Sequence, residues 1–175
     1  MRCSIISQQH TNCESNSLIS RLQQTLAPNP FWSWRLSLKR VGTFTLHLAI
    51  FREPYLSFIM EGKKTVETRF ARRACAPYMR VADGDVVLLK RAAGKIVGIC
   101  TVEKVWYYQL DPSTFSFIRR KFGSAICPAD ASFWEEKQQA TVATLMLVGN
   151  VTPLEKIEIK KRDRRGWVVL DKNKQ

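Results

Sequence analysis

Gly62-Lys63-Lys64-Thr65-Val66-Glu67-Thr68-Arg69-Phe70 follows a helix-length segment and opens an alternating one. Successive side chains of a strand point to opposite faces. Thr65, Glu67 and Arg69 are therefore expected on one side, and Val66, Thr68 and Phe70 on the other. The first face offers a hydroxyl, a carboxylate and a guanidinium in a row, with Lys63 and Lys64 at its entry. The second gives a core its apolar groups. A strand that supports a barrel and also gathers three polar groups is the first candidate site.

Working outward, Phe44–Ile50 alternates and reads as a strand. Glu53-Pro54 opens a short helix with Pro54 at its first position, and Tyr55, Phe58 and Ile59 form its buried stripe. Gly62 is the expected left-handed terminator. After the central strand, Ala71–Arg80 is a basic loop, and Ala82-Asp83-Gly84-Asp85 is a turn. Val86–Leu89 and Ile96–Val105 read as a hairpin. Asp111 caps a helix over Phe115–Phe122, with Pro112 at its first position and Gly123 as its C-cap. A short helix over Ala129–Gln139, a strand over Thr141–Val148 and a last strand at Trp167–Leu170 complete the pattern. The strands are not regularly separated by helices, which argues against a doubly wound parallel sheet. A mainly β, α+β fold is expected, a small and mostly antiparallel barrel flanked by two or three helices.

The chain has 175 residues, enough for a domain with a real core. Lys plus Arg is 28 against 15 Asp plus Glu, a net charge of +13. This exceeds the usual magnitude of about 2–8 for a small domain. Such a field attracts polyanions, whether RNA, DNA or an anionic membrane surface. Solvated lysines on a merely basic protein would give the same balance. The five cysteines are odd in number and widely spaced, and the histidines are His10 and His47 only. Neither a zinc site nor a secreted disulfide framework is expected, and reduced thiols in the cytoplasm fit best. No cofactor or metal is called for. No run of about 18 apolar residues marks a membrane-spanning helix.

Residues 1–42 stand apart from the domain expected over 43–175. They are rich in Ser, Gln and Asn, and their only acid is Glu14. A mobile extension, an organelle transit peptide and a start-site artefact all fit this composition, the first best. Ser17–Leu26 can form an amphipathic helix through Leu18, Leu22 and Leu26, ended by Pro28-Asn29-Pro30. Phe31, Trp32 and Trp34 offer a possible contact for a protein partner.

Phe51-Arg52-Glu53-Pro54-Tyr55, the Gly62–Arg69 string, Gly84-Asp85-Val86-Val87 and Arg164–Leu170 together closely resemble the ASCH domain family. The resemblance covers about Phe44 to Leu170. It implies a PUA-like barrel with a cleft bordered by the short helix and the Lys-Thr-x-Glu-x-Arg strand. It also implies an association with RNA or other nucleic acids, and in some small members hydrolysis of an acetylated cytidine or of RNA. The lysine of the hydrolase subset maps onto Lys64, beside Thr65. Its second threonine falls where this chain has Glu67, a departure that counts against amidohydrolase activity.

Two chemistries follow. For binding, Lys63, Lys64, Arg69, Arg72 and Arg73 can hold a phosphodiester backbone, arginine acting as a fork-like donor. Glu67 can accept from an exocyclic amine or a ribose hydroxyl, and Tyr55, Trp106, Tyr107 and Tyr108 are candidate stacking faces. The Lys160–Arg165 turn would extend the basic footprint. Core packing would equally explain the aromatics, and a solvated ion pair Glu67 and Arg69. For catalysis, Lys64 beside a carboxylate can act as a base, with Thr65 as nucleophile or Glu67 activating water. An RNA-binding domain is the favoured reading, a small hydrolase the alternative. On the first, Lys64→Ala should lose binding and leave the fold intact.

Overall fold

The structure, a computed structural model, describes residues 17–159 and 165–170. The chain divides into two compact units, one holding the described residues 17–44 with Leu170, the other Thr45–Val169.

The first unit is helical where described. Helix α1 covers 17–25 and α2 covers Pro30–Ser37, followed by a 3-10 turn at Leu38–Val41. Leu18, Leu22 and Leu26 are buried, as their spacing implies. The Pro28-Asn29-Pro30 stop also starts α2. The Asn29 side chain accepts from Trp32 N at 3.1 Å, and Pro30 fills the first helical position, where no N–H is needed. Trp32 and Leu36, one turn apart, are buried, whereas Trp34 is exposed. Loss of the cap in Asn29→Ala is expected to cost about 1 kcal/mol, read as a lower unfolding midpoint.

The second unit carries β1 (Leu46–Phe51), α3 (Tyr55–Met60), β2 (Val66–Ala71), β3 (Val86–Arg91), β4 (Ile96–Gln109), α4 (Pro112–Ile126), α5 (Ser132–Lys137), β5 (Val142–Ile157) and β6 (Trp167–Val169). They form one six-stranded mixed sheet in the order β2-β5-β4-β3-β1-β6. Among the described residues only β1 and β3 pair in parallel, and the β3–β4 hairpin is present. The sheet curls on itself. Arg69 on edge strand β2 donates from Nη2 to Ile50 O of β1 at 3.1 Å and from Nη1 to Gly166 O at 3.4 Å, just ahead of edge strand β6. A Cβ on Gly166 would sit 3.3 Å from that Nη1, so a larger residue there would have to push the guanidinium by a few tenths of an ångström.

Curling gives the sheet an inner and an outer face, each with its own core. Inside, Ala49, Phe51, Val87, Leu89, Cys100 and Trp167 pack together, with Leu56 and Ile59 of α3 joining them. Outside, Ile118, Phe122 and Ile126 of α4 and Phe133 and Trp134 of α5 cover Val66, Ala143 and Leu145. In α3 the buried pair is Leu56 and Ile59, with Tyr55 and Phe58 half-buried and Pro54 standing as the N-cap rather than the first helical residue. Helix α4 outruns its expected end. Gly123 lies inside it, and Cys127, at φ 51°, is the cap. An internal glycine costs about 1 kcal/mol, whereas burying one more isoleucine contributes about 1.5–3 kcal/mol, so the stripe continues to Ile126.

A buried polar cluster pins the inner core. Trp167 Nε1 donates to His47 Nδ1 at 3.2 Å, and His47 Nε2 lies 3.0 Å from Asp85 Oδ2. Indole can only donate, so Nδ1 accepts and Nε2 carries the proton toward Asp85. The carboxylate also accepts from Thr45 N and Ala82 N, each at 2.7 Å. Among the described residues, no helix is long and apolar enough to cross a membrane.

Candidate nucleic-acid interface

Strand β2 places Lys64, Glu67 and Arg69 in one chain of charge, with Lys64 just ahead of the strand. Glu67 Oε2 lies 3.5 Å from Lys64 Nζ, and Glu67 Oε1 lies 2.8 Å from Arg69 Nε. Lys64 and Glu67 do not face solvent, whereas Arg69 is half-buried. Lys64 is 2% exposed and Glu67 6%. The polar face of β2 turns into the barrel because Val66 and Phe70 are claimed by the helices on the outside. Arg69 stacks over Phe51 and Trp167, its carbon 4.9 and 5.3 Å from the ring centroids.

Lys64 has a structural task that its sequence context hides. Its ammonium donates to Ile126 O at 2.8 Å and to Val66 O at 2.9 Å, with Glu67 as third neighbour. It thereby satisfies a carbonyl at the C-terminus of α4, where a cation is favoured. It also lies 5.6 Å from the Tyr55 ring centroid. Burial pulls the Lys64 pKa below the usual lysine value, and the Glu67 carboxylate pulls the other way. The expectation that Lys64→Ala leaves the fold intact is therefore corrected, because this side chain joins β2 to α4.

The other sequence candidates are spread out. Lys63 is exposed and paired with Glu61 at 2.7 Å. Thr65, just ahead of β2, is exposed, whereas Lys64 is buried. Arg72 and Arg73 are exposed, and Arg72 bonds Gln139. Trp106 packs on Phe122, Tyr107 holds both N–H and C=O of Val81, and Tyr108 lies beside Phe117. Of the Lys160–Arg165 turn, 160–164 lie outside the described residues.

The inner face also holds a group that the sequence did not single out. Register pairs Arg69 with Thr144 and Thr144 with Tyr107, so they share a face. Thr144 is 1% exposed and, among the described residues, its Oγ1 has no hydrogen-bond partner. Arg69 Nε contacts Glu67 at ion-pair distance, outside hydrogen-bond geometry. Both residues line a cavity of about 150 Å³ walled also by Tyr78, Gly166 and Trp167. The loop carrying Arg72 and Arg73 runs directly into that wall through Cys75–Tyr78. The available signal was a lone hydroxyl in the apolar run Val142–Val148. No group of three His, Cys, Asp or Glu that could hold a metal ion occurs among the described residues.

A small curled barrel with helices on its outer face, and a cavity beside a Lys-x-x-Glu-x-Arg strand, defines a class. Residues 50–147, more than half of the chain, match the ASCH domain, and the chain belongs to that family. Its architecture is the small, mainly β barrel flanked by helices that the sequence resemblance implied. The crystal structure of ASCH from Zymomonas mobilis superposes with a TM-score of 0.57 at 16% identity, covering 73% of this chain and 88% of that one. Two substituted forms of the Zymomonas mobilis protein give TM-scores of 0.57 and 0.56, at 16% and 15% identity, covering 73% of this chain and 91% and 89% of theirs. No curated protein sequence matches the chain significantly.

Proposed function

We propose that this ASCH domain binds RNA in the cytoplasm. On this reading one base enters the cavity at Arg69 and Thr144, and Arg72 and Arg73 hold the adjoining phosphates. The observation that carries it is the buried Thr144 hydroxyl without a partner in a cavity walled by Arg69. An unsatisfied buried polar group costs about 1–3 kcal/mol, and a polar ligand atom that reached this hydroxyl would recover that cost. A cavity of about 150 Å³ takes one benzene-sized ring, which suits a pyrimidine. The two Arg69 N–H groups not given to Ile50 O, Gly166 O and Glu67, with Thr144 Oγ1, supply donors and an acceptor for its edge. The net charge of +13 supplies the long-range attraction.

Hydrolysis is the less supported reading. The three ammonium protons of Lys64 face two carbonyls and Glu67, and Thr65 is exposed. Incubation with N4-acetylcytidine is expected to give no turnover.

Fluorescence anisotropy with a labelled pyrimidine-rich RNA tests the binding. Affinity should fall steeply between about 50 and 200 mM salt. Arg72→Ala with Arg73→Ala should weaken it and flatten the log–log salt slope by about 1.4, at roughly 0.7 per phosphate on a single strand. Thr144→Val separates fold from ligand. Losing the orphaned hydroxyl should stabilise the protein by about 1 kcal/mol while weakening RNA binding. Salt-independent affinity, or a Thr144→Val variant that binds as before, would sink the reading.

A further inference from the structure

Helix α4 has an outward face that neither the cavity nor the core uses. Its fifteen residues include Arg119, Arg120 and Lys121 and no acid. Burial of Ile118, Phe122 and Ile126 turns Ser113, Phe117, Arg120 and Ser124 outward at 3.6 residues per turn. Phe117 is 38% exposed. The Tyr108 ring lies 6.3 Å from the Phe117 ring, and Lys121 Nζ lies 5.2 Å from its centroid. Arg119, Arg120 and Lys121 are exposed, and no acid pairs with them among the described residues.

Uncompensated cations select a polyanion. The exposed ring adds a requirement that a bare backbone does not have, a flat partner. Single-stranded nucleic acid meets both, since bases stack on aromatic faces while arginine and lysine track the phosphates. An interfacial membrane helix would need a broad apolar face, whereas Phe117 is the one large apolar residue among those turned outward.

The position fits as well. Leu110 N donates to Thr141 O at 2.8 Å, Thr141 N to Ala71 O at 2.9 Å, and Thr141 Oγ1 to Arg72 O at 3.0 Å. Arg72 thus lies two strand spacings, about 10 Å, from the β4 end that carries Tyr108. One extended strand can touch both.

We propose that Phe117, Arg120 and Lys121 form a stacking platform for single-stranded RNA as it leaves the cavity across this end of the sheet, an inference that rests on the RNA-binding reading above. Anisotropy with oligouridine of about ten nucleotides tests it on the full chain. Phe117→Leu should weaken binding about fivefold to a hundredfold, the loss of one stacked base, while Phe117→Trp should retain it. Arg120→Gln with Lys121→Gln should flatten the salt slope by about 1.4. Phe117→Trp and Arg120→Gln with Lys121→Gln should melt at the wild-type temperature, and Phe117→Leu within about 2–4 °C of it, since a partly exposed ring loses about 1 kcal/mol of packing. Wild-type protein that ignores oligouridine overturns the RNA-binding reading and the platform together. If Arg72→Ala with Arg73→Ala weakens binding but the α4 variants do not, the platform alone is overturned. Phe117→Leu binding as well as Phe117→Trp, or α4 variants that lose only adhesion to phosphatidylserine vesicles, would overturn it too.

Discussion

Lys64→Met is expected to lower stability by about 3–5 kcal/mol, among the largest effects of any single substitution here. The substitution keeps most of the stem volume and removes the charge. Three things are lost together. Glu67, 6% exposed, keeps only Arg69 as a countercharge. Ile126 O and Val66 O lose their donor. The C-terminus of α4 loses its cation. Removing one member of a buried pair leaves the other unpaired in a poor solvent, which is why the cost exceeds that of a surface ion pair, about 0–1 kcal/mol. For a chain of this size the midpoint should fall by roughly 6–20 °C, at about 2–4 °C per kcal/mol. Urea unfolding of Lys64→Met, Glu67→Gln and the double variant checks the assignment. The double variant should be more stable than the sum of the two singles implies, because a neutral amide in place of the Glu67 carboxylate no longer needs the ammonium. A loss below about 1 kcal/mol for Lys64→Met would show that the ammonium is not part of the frame.

Asp85→Ala should be comparably costly, roughly 3–5 kcal/mol, since it strips an acceptor from His47 Nε2, Thr45 N and Ala82 N at once. Asp85→Asn should lose less, because an amide oxygen still accepts from one side. The pH profile separates charge from packing. Burial pushes the Asp85 carboxyl up, but the hydrogen bonds from His47, Thr45 and Ala82 outweigh it and hold the pKa below the ordinary value. A carboxylate depressed in the folded state stabilises the protein above its unfolded pKa, about 3.9, and loses that contribution as pH falls through the folded value. The wild-type melting temperature should therefore drop below about pH 4, and the drop should be shallower in Asp85→Asn. Equal slopes for the two proteins would remove Asp85 from the account of acid stability.

Both residues show where the sequence was legible and where it was not. Asp85 reads in sequence as a turn residue following Gly84, and the turn is there. That it also fixes the His47 tautomer is invisible locally, because His47 lies 38 positions from Asp85 and 120 from Trp167. Lys64 reads as a surface cation at the mouth of a cleft. Its partner Ile126 is 62 positions distant and lies beyond the glycine at which α4 was expected to stop.

The sequence by itself determined the elements and much of their type. Alternation marked β2, proline and aspartate marked the start of α4, Gly62 with φ at 72° closed α3, and the charge of +13 pointed to a polyanion. Local chemistry decides these, since caps, turns and side-chain period act over a few residues. Only the tertiary structure decided what the polar face of β2 looks at. Alternation says that Glu67 and Arg69 share a face, not whether that face meets water or a barrel interior. The parallel β1–β3 pairing, the Arg69 bridge to Ile50 and Gly166, and the helices that claim Val66 and Phe70 settled it. Those contacts join residues far apart in the chain, and what they gain is burial, which no short stretch of sequence can carry alone.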